Sequence, residues 1–386
     1  MNSEFIPFHV PEIGEDEIRS VVETLQSGWL TTGAKVKRFE EDFAKYVGSR
    51  HAVAVNSGTA ALHLALDAIG IKEGDEVIVP TMTFAATSEV VLYFKATPVL
   101  VDCQADTLNL DPDKIEAAIT AKTKAIIPVH FGGQPCEMDS ILEIAKARKL
   151  KVVEDAAHAL PAAYDGKRVG IIGDITCFSF YATKTITTGE GGMATTGNPE
   201  WADRMRMMSL HGISKDAWNR YSSEGSWYYE VFFPGYKYNM TDIAAAIGIE
   251  QLKKCDRFWE TRRSIAATYD EAFADLPEIR TPVCHPDRQH AWHLYVIQLE
   301  LDRLTINRNE FIEALKQANI GTSVHFIPLH LHPYYQKTFG YTPGDFPNAN
   351  DVFHRIVSLP IFPKMAETDI REVIRAVRNI VKRHRR

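Results

Sequence analysis

Between residues 51 and 196, short apolar runs alternate with segments whose apolar residues recur at helical spacing. That alternation restricts the chain to a small set of architectures. His51–Val55, Glu76–Val79, Pro98–Val101, Ala125–Val129 and Lys151–Val153 read as buried strands. Between them, Ala60–Ile69, Phe84–Phe94, Pro112–Ile119 and Met138–Arg148 read as helices. Strands separated by helices pair side by side in parallel, with the helices on both faces of the sheet. Asp174–Phe180 and Gly192–Thr196 add two further strands after the turn at Tyr164–Lys167. The expected fold class is α/β, built on a mostly parallel central sheet.

Beyond about residue 250 the pattern changes. A long helix is predicted over Asp242–Phe273, with Arg257, Arg262 and Arg263 on an exposed face. Strand-like His293–Leu299, a helix Arg308–Ala318, strand-like Thr322–Phe326 and a terminal helix near Thr368–Arg383 follow. These read as a smaller C-terminal α/β domain. The expected division is a large domain over 33–250 and a small one from 1–32 and 251–386. A length of 386 residues accommodates two such units.

The net charge of −7 argues against a nucleic-acid binder, which carries a basic excess. No apolar run is long enough to cross a bilayer, and the acidic start Met1–Phe5 lacks a signal-like stretch, so the expected location is the cytoplasm, without membrane contact. Five scattered cysteines without Cys-x-x-Cys spacing imply reduced thiols.

Open α/β sheets bind ligands beyond the carboxyl ends of their strands, and several polar groups fall there. Lys184 follows the aromatic run Cys177–Tyr181 within a loop of hydroxyls and glycines, where a lysine suits Schiff-base chemistry with a carbonyl. After the first strand, Asn56-Ser57-Gly58-Thr59 opens a helix, so Gly58, Thr59 and Ala60 could offer N–H groups to a phosphate; a helix cap by Ser57 is the alternative. Asp155, at another strand end, could pair with a protonated pyridine nitrogen or serve as a cap. His158 could touch such a ring or fill the core, and Phe84 could stack on it or pack inward. Ser179 lies on the strand leading to Lys184, within reach of the same phosphate. His325, His330 and His332 lack a nearby Cys or carboxylate to complete a metal site, so no metal is expected.

Taken together and in order, these segments resemble the DegT/StrS-type pyridoxal-phosphate-dependent sugar aminotransferases of the aspartate-aminotransferase superfamily. The resemblance covers Ser27–Gly33, Asn56–His63, Pro128–Gly132, Glu154–Ala159, Ser179–Lys184, Gly189–Gly192 and Gly235–Asp242. It implies the fold type I three-layer sandwich, with pyridoxal 5'-phosphate (PLP) carried on Lys184. Asp155 would then pair with the pyridine nitrogen, Phe84 would stack on the ring, and His158 would lie beside its phenolic oxygen. Gly58, Thr59, Ala60 and Ser179 would hold the phosphate. Asn239 matches an asparagine that reaches the partner subunit's phosphate, which implies a homodimer with shared sites. Lysine at position 184, where a dehydratase branch has histidine, favours transamination.

Three segments, Pro234–Asp242, His290–Tyr295 and Ile320–Phe326, are more similar to the branch that makes 4-amino-4-deoxy-arabinose for lipid A. The expected substrates are therefore glutamate and a nucleotide-linked keto sugar, foremost a UDP-4-keto sugar. Another keto sugar or a cyclitol, or a regulatory PLP protein without turnover, is the alternative. Phe84 replaces an expected tryptophan, and Tyr181-Ala-Thr183 departs from the branch on the sugar side. Thr31, Thr32, Gly33 and Tyr181 are the expected sugar-nucleotide contacts, and His325 is a further one, with a structural strand-end histidine as the alternative. Arg220 is a candidate for the diphosphate, with a solvated arginine as the alternative.

Overall fold

A computed structural model describes residues 4–213 and 228–386. Seven strands form the central sheet: β1 (His51–Val55), β2 (Glu76–Pro80), β3 (Thr97–Val101), β4 (Thr123–Ile126), β5 (Lys151–Asp155), β6 (Ile175–Ser179) and β7 (Gly192–Thr196). Their spatial order is β1-β7-β6-β5-β4-β2-β3. Every pairing is parallel except the two made by β7, which runs antiparallel to both β1 and β6. The expected mostly parallel sheet is therefore present.

Both faces of the sheet are covered. On β2, Val77 and Val79 face one apolar cluster and Ile78 faces another, and all three are fully buried. Period-two alternation between two cores explains why these strands read as unbroken apolar runs. The helix Gly58–Ala68 is itself buried from Ala60 to Leu66 between the sheet and its neighbours. Each fully buried aliphatic side chain contributes about 1.5–3 kcal/mol, which sets the strand ends rigidly.

A second, three-stranded antiparallel sheet orders Ile279–Arg280, Tyr295–Leu299 and Ile356–Leu359. The helices Arg308–Gln317 and Glu367–His384 pack on it around their own core, which includes Tyr295, Phe311 and Val377. The N-terminal segment divides between the two parts. Ile6 bridges to Ile320 and joins this second core. The helix Glu15–Ser27 instead leans on Asp242–Lys253, where buried Glu17 accepts from Lys254 and Gln251, each at 2.8 Å.

Three expectations are corrected. The single helix over Asp242–Phe273 is two, Asp242–Lys253 and Cys255–Phe273, meeting at Lys254. Arg262 is wholly buried rather than exposed. Thr322–Phe326 is not a strand; it touches the sheet through one bridge, Ser323 to Ser358.

Candidate active site

The carboxyl ends of the parallel strands open into one cleft of about 500 Å3, at the junction of the two sheets. Asp155, the last residue of β5, is buried there. Its Oδ2 accepts the Thr87 hydroxyl at 2.8 Å and its Oδ1 accepts the Ala157 N–H at 3.1 Å. Thr87 in turn lies 2.7 Å from the Thr83 hydroxyl, so a chain of two threonines supports the carboxylate. Burial still pushes the Asp155 carboxyl above the usual carboxylate range, against these donors. A buried acid so placed calls for a cationic partner.

Facing Asp155 is Lys184, on a loop locked by its own backbone. Lys184 N–H donates to the Tyr181 carbonyl at 2.9 Å, and the Thr187 hydroxyl and Thr188 N–H both return to the Phe180 carbonyl at 3.0 Å. The residue is half-buried in the cleft wall. Burial lowers the amine to about 8, with Asp155 pulling the other way. About a tenth is therefore free base at pH 7, far more than for an ordinary lysine, and this is the form that attacks a carbonyl.

The third component is the first turn of the helix Gly58–Ala68. Ser57 caps it by accepting the Ala60 N–H at 3.0 Å. The Ala60 N–H is taken up by this cap, the alternative expectation for the turn. Gly58 and Thr59 line the cleft with Ser179, and their N–H groups belong to the helix turn that lacks internal acceptors. A Cβ on Gly58 would lie 2.9 Å from the Ser179 Cβ, so only glycine lets that strand end approach. Gly192 is tighter still, because its Cβ would stand 2.3 Å from the Ser57 carbonyl oxygen.

His158 is buried and kept well below its ordinary pKa by burial first, then by Lys184 and His325. Its Nδ1 accepts the Gly132 N–H at 3.3 Å, which leaves Nε2 as the protonated nitrogen. Phe326 stacks on this ring at 5.7 Å, and Phe84 stands exposed at the rim 5.9 Å from Phe326. Tyr181 and His325 also line the cleft, with His325 Nδ1 2.8 Å from the Ser358 hydroxyl.

Thr31, Thr32, Gly33 and Asn239 do not line this cleft. They gather elsewhere. Asn239 Nδ2 donates to Thr32 Oγ1 at 2.8 Å, Thr32 Oγ1 donates to the Met240 carbonyl at 2.6 Å, and the Thr31 carbonyl accepts the Asp242 N–H at 3.1 Å. Thr32, Gly33 and Asn239 share a separate surface groove. Arg220 lies outside the described residues.

Sequence reasoning missed Thr83, Thr87, His293 and Phe326. The threonines carried a usable signal, being spaced by four at the start of a helix that follows a strand end. His293 and Phe326 come from the second sheet's side and had none. Among the described residues, no group of three or more His, Cys, Asp or Glu is gathered to hold a metal, and no helix is long and apolar enough to cross a membrane.

An acid awaiting a cation, a depressed amine and a helix turn suited to an anion together fit PLP, whose ring nitrogen, aldehyde and phosphate have those three needs. The profile of the DegT/DnrJ/EryC1/StrS aminotransferase family matches residues 11–378. The chain belongs to this family. Its members and structural neighbours make it a PLP-dependent sugar aminotransferase of the fold type I class. The spore coat polysaccharide biosynthesis protein SpsC of Bacillus subtilis is 56% identical over 379 residues, covering 98% of this chain and 97% of that protein. The putative sugar aminotransferase Spr1654 of Streptococcus pneumoniae in its PLP form superposes with a TM-score of 0.92 at 37% identity, over 98% of this chain and 99% of its own. PseC of Helicobacter pylori, an aminotransferase of pseudoaminic acid biosynthesis, gives a TM-score of 0.91 at 29% identity, over 99% of this chain and 100% of its own.

Proposed function

We propose that the protein transfers an amino group from glutamate to a nucleotide-linked keto sugar, foremost a UDP-4-keto sugar, in making a cell-surface glycan or lipid A modification. The observation that carries this reading is the Lys184 amine facing buried Asp155 in one cleft, beside the Gly58–Thr59 helix turn. In this reading Lys184 carries PLP, Asp155 takes the pyridine nitrogen, and Gly58, Thr59 and Ser179 hold the phosphate. Phe84 and His158 flank the ring. PLP supplies an aldehyde that captures the amine and a ring that accepts the electron pair left on carbon.

The chain's own groups then do the following. Released as a free amine, Lys184 Nζ removes the proton from the donor's α-carbon, a role its depressed basicity permits near neutral pH. In the second half-reaction it delivers a proton to the sugar carbon that bore the keto oxygen. Asp155 keeps the ring nitrogen cationic while negative charge develops. Phe326, Phe84 and Tyr181 make the mouth aromatic, which suits the apolar face of a pyranose.

The grouping of Thr31, Thr32 and Gly33 with Asn239, away from their own chain's cleft, supports a homodimer in which they serve the partner's site. SpsC is named for spore coat polysaccharide biosynthesis and PseC for pseudoaminic acid biosynthesis, which supports an amino sugar destined for a glycan here. Purified protein incubated with glutamate and a panel of UDP- and dTDP-linked keto sugars, with scyllo-inosose as a cyclitol control, tests the reading by mass spectrometry. An amino sugar formed from a UDP-4-keto sugar together with 2-oxoglutarate is the expected result. Turnover of the cyclitol alone, or no 2-oxoglutarate with any acceptor, refutes the assignment.

A further inference from the structure

The cleft has a wall that the reaction as described leaves without a role. Its lining residue is His293; His9, whose ring meets the Ala182 carbonyl, and Arg262, which donates to the His293 carbonyl, lie behind the lining. Arg262 has no exposed surface. Its Nη1 donates to the carbonyls of Trp292 at 3.3 Å, His293 at 3.2 Å and Ile361 at 2.7 Å. Its Nε and Nη2 are buried with no hydrogen-bond partner. The guanidinium is thus clamped by carbonyl dipoles, and those contacts involve no carboxylate. Burying a cation in this way costs stability unless an anion answers it.

The neighbours of Arg262 repeat the imbalance. His293 is buried, lines the cleft, and has an unpartnered Nδ1. Its ring lies 4.4 Å from that of His158. His9 Nε2 is likewise buried and unpartnered, and its ring sits by the Ala182 carbonyl, two residues before Lys184. Burial, helped by the Arg262 charge, holds both imidazoles neutral. The acids of the cleft, Asp155 and Glu190, come from the sheet side and from the loop after Lys184. The positive charge here is the Arg262 guanidinium, with two unpartnered buried donors, and the neutral His293 offers one donor in the tautomer protonated at Nδ1; a carboxylate, with acceptors only, has the complementary chemistry.

We propose that this wall receives a carboxylate of the amino donor, with His293 in contact and Arg262 acting behind it as a positioning residue that supplies the charge. The inference rests on the aminotransferase reading above and names the part of the cleft its dicarboxylate donor occupies. The keto sugar has no carboxylate, so the wall distinguishes the two substrates that share one site.

The test uses the holoenzyme and succinate, a dicarboxylate without an amine, as the calorimetric probe. Arg262→Met should weaken succinate by roughly tenfold or more, the scale of one charge felt across a buried wall. Arg262→Lys, which keeps the charge, should restore most of the affinity. His293→Phe, which keeps the ring packing on His158, should raise the half-saturating glutamate concentration and leave that of the keto sugar within about twofold. If Arg262→Met does not fold, Arg262→Lys and His293→Phe carry the comparison. Equal succinate binding in wild type and His293→Phe overturns the proposal, as does an equal shift for glutamate and keto sugar. A wild type that aminates the sugar while these variants behave alike refutes this inference alone. A wild type that forms no amino sugar refutes the functional reading instead.

Discussion

Replacing Thr87 by valine probes the support of the cofactor-facing acid without opening a cavity, since the two side chains are nearly isosteric. Thr87 is fully buried and donates its hydroxyl to Asp155 Oδ2 at 2.8 Å. A hydrogen bond to a charged group contributes about 1.5–3 kcal/mol. Its loss raises the Asp155 carboxyl further, because a donor to the charged form is removed. Burial already holds that carboxyl above the ordinary range, so the change adds to an existing shift. A protonated acid cannot pair with a cationic ring nitrogen, so PLP affinity should fall by about 10- to 100-fold when the variant is mostly protonated.

The sign of the pH dependence follows. Raising the pH ionises the carboxyl again, so the deficit should shrink from mildly acidic to mildly alkaline solution. The assay is a titration of cofactor-free protein with PLP, followed by visible absorbance at several pH values. Thr83→Val, one hydroxyl further out, should have a smaller effect, since Thr83 meets Thr87 and not the acid. A Thr87→Val protein that binds PLP like wild type at every pH refutes the reasoning. So does a deficit that is constant with pH, or a Thr83→Val protein equally impaired.

Capture of added PLP by Lys184 should accelerate with pH and level off above about 8, the value to which burial lowers its amine; Asp155→Asn should move the plateau to lower pH, because that carboxylate favours the charged amine. Stopped-flow absorbance of wild type and variant checks both statements, and Lys184→Ala should show no such capture. Glu154→Ala should destabilise the fold by about 3–5 kcal/mol, because three buried donors lose their acceptor. Glu154 accepts from His130 at 2.9 Å, from Gly173 N–H at 2.7 Å and from the Thr176 hydroxyl at 2.6 Å, so urea unfolding should show the loss. Mixing Lys184→Ala with Asn239→Ala chains by unfolding and refolding should regenerate about a quarter of wild-type activity if sites are shared, since half the dimers are mixed and each carries one intact site. No recovery refutes a shared site.

Much of the site was legible because it lies where strands end, and strand ends follow from apolar patterning. Asp155, Ser179 and the Gly58–Thr59 turn were placed this way, and the glycines at 58 and 192 mark where backbones approach too closely for a Cβ. Lys184 stood out because a lysine between an aromatic strand and a glycine loop has no packing role. The errors have physical causes. Helical spacing over Asp242–Phe273 carries through Lys254, so only the capping geometry there shows the break. Arg262 reads as a surface cation because local pattern cannot reveal the three carbonyls that hold it inside.

Residues such as Val77, Ile78 and Val79 establish locally that buried parallel strands carry the cleft, because side-chain alternation depends only on near neighbours along the chain. Which distant groups meet in the cleft is another matter. His293 and Phe326 reach His158, and Thr31–Gly33 fall beside Asn239, through packing of elements separated by more than a hundred residues. No local periodicity encodes such meetings, since they depend on how the two cores are assembled in space.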